Sequence, residues 1–279
     1  MPAEVVLPGG HDGPHDGGLE GTRHEVRDEV REGGWPLDWA LPDGVGACMS
    51  TRKGGVSTGP FASLNLGDHV GDDTTAVAVN RSRWAAGLQG ARPLWMRQVH
   101  GCEVADAAQA LRLGAVPTAD GCWTAQPGGA CVVQVADCLP VLVVAHNGRA
   151  VGAAHAGWRG LAAGVVERTA QAVAQAAGCG PDGLSCWLGP CIGPRQFEVG
   201  PEVVQAFGGG ERFVPRRRPD GSLRWLADLP GLARDRLVAL GVQAIAGAQT
   251  CTVENPSAFF SFRRDGVTGR QAAAVWLRP

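Results

Sequence analysis

Hydrophobic and polar positions are most clearly patterned between residues 130 and 180. Two short apolar runs rich in valine, at 130–136 and 140–145, are typical of buried β-strands. The dipeptide Asn147-Gly148 separates the second run from a third at 149–154. Because Asn-Gly favours the tight turn that joins antiparallel strands, these runs predict a β-hairpin.

Helical spacing begins after residue 160. Apolar residues recur every three or four positions from Leu161 to Ala177, and Gly178 and Pro181 follow, so the pattern predicts a helix over 161–177. Because strands and helices alternate irregularly, the chain is expected to be an α/β (α+β) domain with helices packed on a mixed sheet. Similar patterns predict a second helix at 229–240 and strands at 184–188, 250–254, 258–263 and 271–277.

The chain divides into two regions of different composition. Residues 1–40 are rich in Gly, His, Asp and Glu and have no sustained apolar period, which predicts a disordered N-terminal tail. Residues 41–279 have a globular pattern without a fixed-period repeat, which predicts one domain.

Composition and charge exclude several classes of protein. The 279 residues are 44% hydrophobic and 19% charged, so global disorder is excluded. With a net charge of −2, the chain does not have the excess of basic residues that is typical of a general nucleic-acid binder. The sequence shows neither a signal segment nor a membrane-length apolar stretch. Nine cysteines without a C-x-x-C pair predict free thiols in a cytoplasmic protein, not a disulfide scaffold or a structural zinc site.

The predicted hairpin brings a thiol close to an imidazole. If residue 146 pairs with 149, His155 lies opposite Pro140, and Cys138 points to the same face two residues along the strand. Diagonal neighbours of this kind lie roughly 7–8 Å apart at the backbone. The side chains of Cys138 and His155 can therefore converge on one atom.

His100, in the Gln-Val-His-Gly segment at 98–101, is a third candidate ligand, although local geometry does not place it. Two imidazoles and one thiolate suit zinc, and three protein ligands with an open position are typical of a catalytic site. A metal-free alternative stays open, because a thiolate beside an imidazole can attack acyl carbons as a nucleophile.

Arginines near predicted turns are candidate anion ligands. Arg159 lies in the Gly-Trp-Arg-Gly turn at 157–160, which opens the predicted helix and offers free backbone N–H groups. Arg52, Arg81 and the pair Arg263-Arg264 are further candidates in other polar segments.

Blocks of sequence along nearly the whole globular part resemble the YfiH-type family. Its members are also called laccase-domain or polyphenol oxidase proteins and purine nucleoside phosphorylases. One departure is Phe262, which stands where the family commonly has tyrosine. The resemblance rests on blocks that include Thr-Arg-Lys-Gly-Gly-Val-Ser at 51–57 and Ala-Asp-Cys at 136–138, together with 63–67, 69–73, 80–81, 98–101, 155–160, 189–194, 259–266 and 268–270.

This resemblance implies a single domain with mixed β-sheets in a sandwich flanked by helices, and a monomer or homodimer. It implies zinc bound by His100, Cys138 and His155. It also implies phosphorolysis of purine nucleosides (inosine, adenosine, guanosine or methylthioadenosine) and hydrolytic deamination of adenosine.

If the chain has this phosphorylase activity, the types of the candidate residues suggest which part of the substrate each of them binds. Arg52, Arg81 and Arg264 are expected to bind phosphate, because phosphorolysis needs an anion site beside C1′ of the ribose. Asn65 and Gln98 are expected to bind the sugar or the base.

Other activities stay open. Hydrolytic editing of peptidoglycan precursors, a second implication of the family, would fit Cys–His chemistry. Copper-dependent polyphenol oxidation is a third, but three of the seven histidines lie in the tail. The other four are too few for a blue-copper centre together with a trinuclear cluster, although a single copper could bind. A binding module without catalysis is the remaining alternative.

Overall fold

The structure, a computed structural model, describes Met1 and residues 34–278, so most of the predicted tail lies outside the described residues. The strands are β1 (Gly34–Trp35), β2 (Val45–Ser50), β3 (Arg92–Leu94), β4 (Val104–Asp106), β5 (Gly121–Thr124), β6 (Gly129–Val135), β7 (Leu139–Ala145), β8 (Val151–Ala156), β9 (Leu184–Leu188), β10 (Glu198–Val199), β11 (Phe213–Arg217), β12 (Leu223–Ala227), β13 (Ala244–Gly247) and β14 (Gln271–Leu277). The α-helices are α1 (Thr74–Ala85), α2 (Ala107–Leu113), α3 (Trp158–Ala162), α4 (Val165–Ala177), α5 (Pro201–Ala206), α6 (Leu229–Leu240) and α7 (Phe262–Asp265).

Two mixed β-sheets packed face to face form the centre of the fold. Their strand orders are β1-β2-β14-β6-β3 and β13-β9-β7-β8-β5-β4. Apolar side chains from both sheets, among them Val133, Leu142 and Val275, form one buried cluster between them. A smaller sheet has the order β10-β12-β11.

Helices cover the outer faces of both large sheets. Side chains of α4 and α6 pack on the six-stranded sheet, and Trp84 of α1 packs on the five-stranded sheet with Leu66 and Leu88. The predicted single α/β domain, with mixed sheets in a sandwich flanked by helices, is confirmed. Across residues 34–278, none of the helices has both the length and the apolar character needed to cross a bilayer.

Burial on both faces explains the uninterrupted apolar run of β7. Val141 and Val143 face the helices, whereas Leu142 and Val144 face the other sheet. A strand between two apolar layers needs no alternation of polar residues.

The predicted hairpin has the expected register, with Pro140 of β7 opposite His155 of β8. The helix predicted over 161–177 is divided into α3 and α4, because Gly164 adopts a left-handed backbone with φ of +92°. The predictions for 184–188, 229–240 and 271–277 are confirmed by β9, α6 and β14.

Two predicted strands are wrong. The segment 250–254 contributes only an isolated bridge between Cys251 and Cys191. In the segment 258–263, the hydroxyl of Ser261 accepts a hydrogen bond from the backbone N–H of Arg264 and caps α7. Local capping and turn contacts satisfy the backbone here in place of a strand ladder.

Residues 34–40 belong to the folded part, although the sequence pattern places them in the tail. Strand β1 pairs with β2, and the Trp35 ring lies 4.8 Å from that of Phe259. The Trp39 indole Nε1 donates a hydrogen bond of 2.7 Å to the Ser185 hydroxyl. These tryptophans provide apolar contacts that the polar composition of the preceding segment does not indicate.

Candidate active site

Three potential metal ligands meet at one end of the sandwich. His155 lies on β8, Cys138 precedes β7, and His100 lies between β3 and β4. The Sγ of Cys138 is 3.6 Å from Nε2 of His100, and the ligand atoms of all three residues lie within 4.8 Å of one another. The structure therefore brings together the three residues that the sequence suggested as zinc ligands.

Local backbone geometry makes room for these side chains. Residues 136–138 carry the chain from β6 in one sheet to β7 in the other. Gly157 follows β8, and a Cβ added there would lie 2.6 Å from Cδ2 of His100 and 3.0 Å from Sγ of Cys138. Both distances are shorter than ordinary contacts, so glycine at 157 allows the imidazole and the thiol to approach each other.

Asp120, which the sequence analysis missed, positions both histidines. Its fully buried carboxylate accepts hydrogen bonds from the backbone N–H groups of Val99, His100 and Gly101. It also lies 2.8 Å from Nδ1 of His155, which donates to it. With Nδ1 used in this way, Nε2 of His155 is the nitrogen available to a metal.

Replacing Asp120 with asparagine is expected to lower zinc affinity by about 10- to 100-fold, as is typical when a group that orients a metal ligand is lost. The amide lacks the negative charge and cannot accept from four donors as the carboxylate does. A competition titration would measure the affinity, with circular dichroism to establish folding. The exposed Asp182→Asn is the matched control; unchanged affinity in a folded D120N protein would contradict this role.

Electrostatics favour a charged Cys138–His155 pair when no metal is bound. Burial alone would raise the pKa of Cys138, but the neighbouring His155 and His100 lower it to about 6. Burial alone would lower the pKa of His155, but Cys138 and Asp120 raise it to about 9. Near neutral pH, the pair is therefore a thiolate beside an imidazolium.

Zinc affinity is expected to rise with pH between about 6 and 9. Over this interval Cys138 is already a thiolate, but His155 must lose a proton before Nε2 can bind a metal. The apparent affinity should therefore increase about tenfold per pH unit and level off above pH 9. Competition titrations at three pH values would measure how the affinity changes with pH. An affinity that does not change with pH would show that metal binding does not displace a proton from His155.

Asp137 connects Cys138 to two distant segments of the chain. Its carboxylate accepts hydrogen bonds from the hydroxyls of Thr252 and Ser261 and from the backbone N–H of Arg263, at 2.6, 3.0 and 2.6 Å. Its backbone is left-handed, with φ of +96°, which is uncommon for a residue other than glycine. The position of Cys138 is thereby linked to that of the turn carrying Arg263.

The three ligands line a cleft of about 420 Å³. Burial lowers the pKa of the Arg270 guanidinium, which lies half-buried at the cleft. The Oε1 atom of Gln134 is buried and has no hydrogen-bond partner among residues 34–278. Besides the triad, the lining residues are His69, Gln98, Gln134, Val135, Ala136, Asp137, Trp158, Arg159, Ile192, Phe197, Leu229, Phe262, Arg263 and Arg270.

Three arginines suggested as phosphate ligands do not line this cleft. Arg264 donates to three backbone carbonyls and pairs with Asp265. Arg52 donates to two backbone carbonyls. Arg81 pairs with Asp68 at 3.1 Å and donates to a backbone carbonyl. These contacts stabilise loops. Because none of the three side chains lies at the cleft, their assignment to phosphate has no support at this site.

Asn65 also lies outside the cleft, so its assignment to sugar or base has no support at this site. It is fully buried, and its amide bonds to the backbone of Gly67, the carboxylate of Asp72 and the backbone of Arg270. Gln98 does line the cleft, but its amide makes two hydrogen bonds to the backbone of Gln134.

Arg159 lies at the cleft as suggested, with its guanidinium 4.3 Å from the Trp158 ring. Arg263 and Arg270 line the cleft as well, and their side chains donate hydrogen bonds to backbone carbonyls. Arg263 was suggested from the sequence only together with its neighbour, and Arg270 was not suggested. The only sequence signal for a cleft-lining arginine in this segment was the Arg263-Arg264 pair. The fold of the turn that carries the pair determines that Arg263, and not Arg264, lines the cleft.

Comparison with known proteins identifies the family. Residues 46–278 match the family model described as multi-copper polyphenol oxidoreductase laccase. A Pseudomonas aeruginosa protein named purine nucleoside phosphorylase is 49% identical over 248 residues, which cover 86% of this chain and 97% of that protein. Escherichia coli YfiH, also named a purine nucleoside phosphorylase, is 46% identical over 244 residues, covering 86% and 96%. The chain belongs to the YfiH-type family.

Solved structures share the YfiH-type fold. A Neisseria meningitidis protein superposes with a TM-score of 0.81 at 41% identity, covering 89% of this chain and all of that one. YlmD from Geobacillus stearothermophilus superposes with a TM-score of 0.77 at 34% identity, again over 89% and 100%. The names of the YfiH-type relatives support an enzyme of the purine nucleoside phosphorylase kind.

The donor set of this YfiH-type protein fits one metal ion. Among residues 34–278, His100, Cys138 and His155 form the single group found with three potential ligands close enough to share an ion. Two imidazoles and a thiolate bind either zinc or copper. The arrangement therefore fits one ion of either metal.

Proposed function

We propose that this protein is a cytoplasmic, zinc-dependent purine nucleoside phosphorylase. We propose that it acts on inosine, adenosine, guanosine and methylthioadenosine and that it also deaminates adenosine. The observation that carries the proposal is a single cleft that joins His100, Cys138 and His155 to three arginines and several aromatic rings. The names of the relatives point the same way, and nine free cysteines suit a reducing compartment.

His100, Cys138 and His155 would hold the ion. Bound zinc would supply a positive charge and Lewis acidity beside the reacting atoms. Asp120 would keep both histidines oriented, as its contacts with the His155 ring and the His100 backbone suggest.

Phosphate would be bound by Arg159, Arg263 and Arg270. Guanidinium groups bind phosphate oxygens through paired N–H donors, and among the described residues none of these three arginines pairs with a carboxylate. Their charge would hold the phosphate against C1′ of the ribose and stabilise negative charge in the transition state.

The purine would occupy the aromatic part of the cleft. Trp158, Phe197 and Phe262 offer flat apolar surfaces, and Phe262 is 59% exposed although it is a large hydrophobic residue. The buried, unpartnered Oε1 of Gln134 would accept a hydrogen bond from an N–H or O–H of the nucleoside.

Incubation of zinc-loaded protein with inosine tests this proposal. With phosphate, hypoxanthine and ribose-1-phosphate should appear in equal amounts; without phosphate, neither should accumulate. Adenosine without phosphate should give inosine. Chelated protein serves as the control. Absence of base release from all four nucleosides would overturn the phosphorylase proposal.

A Cys–His hydrolase that edits peptidoglycan precursors is a second candidate, because the pKa of Cys138 near 6 favours a nucleophilic thiolate. Hydrolysis of an amide substrate by metal-free protein would support it.

Copper-dependent polyphenol oxidation is a third candidate, because the donor set also suits one copper ion.

A further inference from the structure

Departure of a purine from the ribose requires a proton donor, and the cleft limits which group can be one. Of its titratable side chains, His100, Cys138 and His155 are the proposed metal ligands. The Asp137 carboxylate already accepts three hydrogen bonds from the protein. Arginine does not release a proton in this pH range.

Among the described residues that line the cleft, His69 is the remaining titratable group. Its ring is well exposed, with 60% of the side chain accessible. An imidazole can both hold and deliver a proton, and histidine is the commonest general acid or base among protein side chains.

Neighbouring charges orient the His69 ring. Its Nδ1 lies 3.3 Å from the Asp68 carboxylate, which pairs with Arg81 at 3.1 Å. Arg81 is in turn fixed by a hydrogen bond to the Leu66 carbonyl and by stacking on the Trp95 ring at 4.1 Å. With Nδ1 facing Asp68, Nε2 is the nitrogen left for a ligand in the cleft.

We propose that His69 is the general acid of this site and that it protonates N7 of the departing purine. This inference rests on the proposed phosphorylase function. A phosphate oxygen forms a bond to C1′ while the C1′–N9 bond breaks, and its electron pair moves into the purine ring. The Nε2 proton goes to N7, and the proton that the new phosphate ester releases to solvent restores the imidazolium.

Guanosine and 7-methylguanosine distinguish this role from a structural one. The purine of 7-methylguanosine already carries a positive charge and leaves as a neutral base without protonation. His69→Asn should lower kcat/KM for guanosine by about 100-fold, within the usual range for general acid catalysis. The same variant should change kcat/KM for 7-methylguanosine by less than about threefold.

Two further variants complete the experiment. His146→Asn, at an exposed position in the turn after β7, is the matched control and should leave both substrates unaffected. Asp68→Asn should also lower kcat/KM selectively for guanosine, but only by about tenfold, because Asp68 orients the His69 ring and does not itself donate the proton.

The outcomes separate the inference from the function on which it rests. Equal losses on both substrates, or no loss on either, would overturn the role of His69 while leaving phosphorolysis standing. A wild-type protein that releases base from neither nucleoside in the presence of phosphate would overturn the proposed function itself.

Discussion

Replacing Cys138 with alanine is expected to remove equimolar zinc and to lower phosphorolysis of inosine by about 1000-fold. Two imidazoles remain in C138A, but the thiolate that lies 3.6 Å from His100 is lost. A catalytic metal contributes several kcal/mol to transition-state stabilisation, and about 4 kcal/mol corresponds to a factor of about 1000. Metal content by emission spectrometry and initial rates of hypoxanthine release measure the two effects.

Cys179→Ala is the control for this experiment. Cys179 is a half-buried thiol just beyond the end of α4, where its Sγ contacts the Gly183 carbonyl. It should keep both zinc and activity. Full zinc content in C138A would contradict the proposed ligand set. A wild-type enzyme that is active without metal, combined with an inactive C138A, would instead indicate a Cys–His nucleophile.

Replacing Arg159 and Arg263 together with glutamine is expected to lower kcat/KM for phosphate by about 1000-fold. Each charged hydrogen bond contributes about 2 kcal/mol, which is a factor of about 30 per arginine and about 1000 for the pair. Glutamine keeps a polar side chain of similar reach but removes the positive charge. Initial rates at saturating inosine and varied phosphate would measure the effect.

Inosine binding provides the internal control for the arginine variants. The Kd for inosine without phosphate should change by less than about threefold, because the purine is assigned to the aromatic part of the cleft. Arg168→Gln, on the exposed face of α4 beside Glu103, is the matched surface control. Equal losses in phosphate use and inosine affinity would remove the assignment of these arginines to phosphate.

Local patterns in the sequence were sufficient to predict the central hairpin. Asn147-Gly148 sets the turn, and the turn sets the register that places His155 opposite Pro140. The same patterns predicted α6 and β14 because each is a continuous run with one periodicity. Where turns and caps replace regular ladders, as at 250–254 and 258–263, apolar composition alone predicted strands that do not form.

Features that depend on long-range contacts could not be predicted in this way. His100 reaches the site because Asp120, twenty residues later, binds the backbone of its loop. The choice of Arg263 rather than Arg264 depends on the turn held by Asp137. Residue type indicated the chemistry of these side chains, whereas their direction follows from contacts between segments far apart in sequence.

The dependence of Cys138 on the C-terminal segment bears on when the protein can first capture a metal during its synthesis. All three ligands precede residue 160, yet β6, which leads to Cys138, pairs with β14, and Asp137 is bound by residues 252, 261 and 263. A nascent chain that has emerged from the ribosome only as far as residue 250 would contain every donor atom but lack the neighbours that hold them together. Metal capture would then wait until residues 251–277 have emerged and packed against β6 and Asp137.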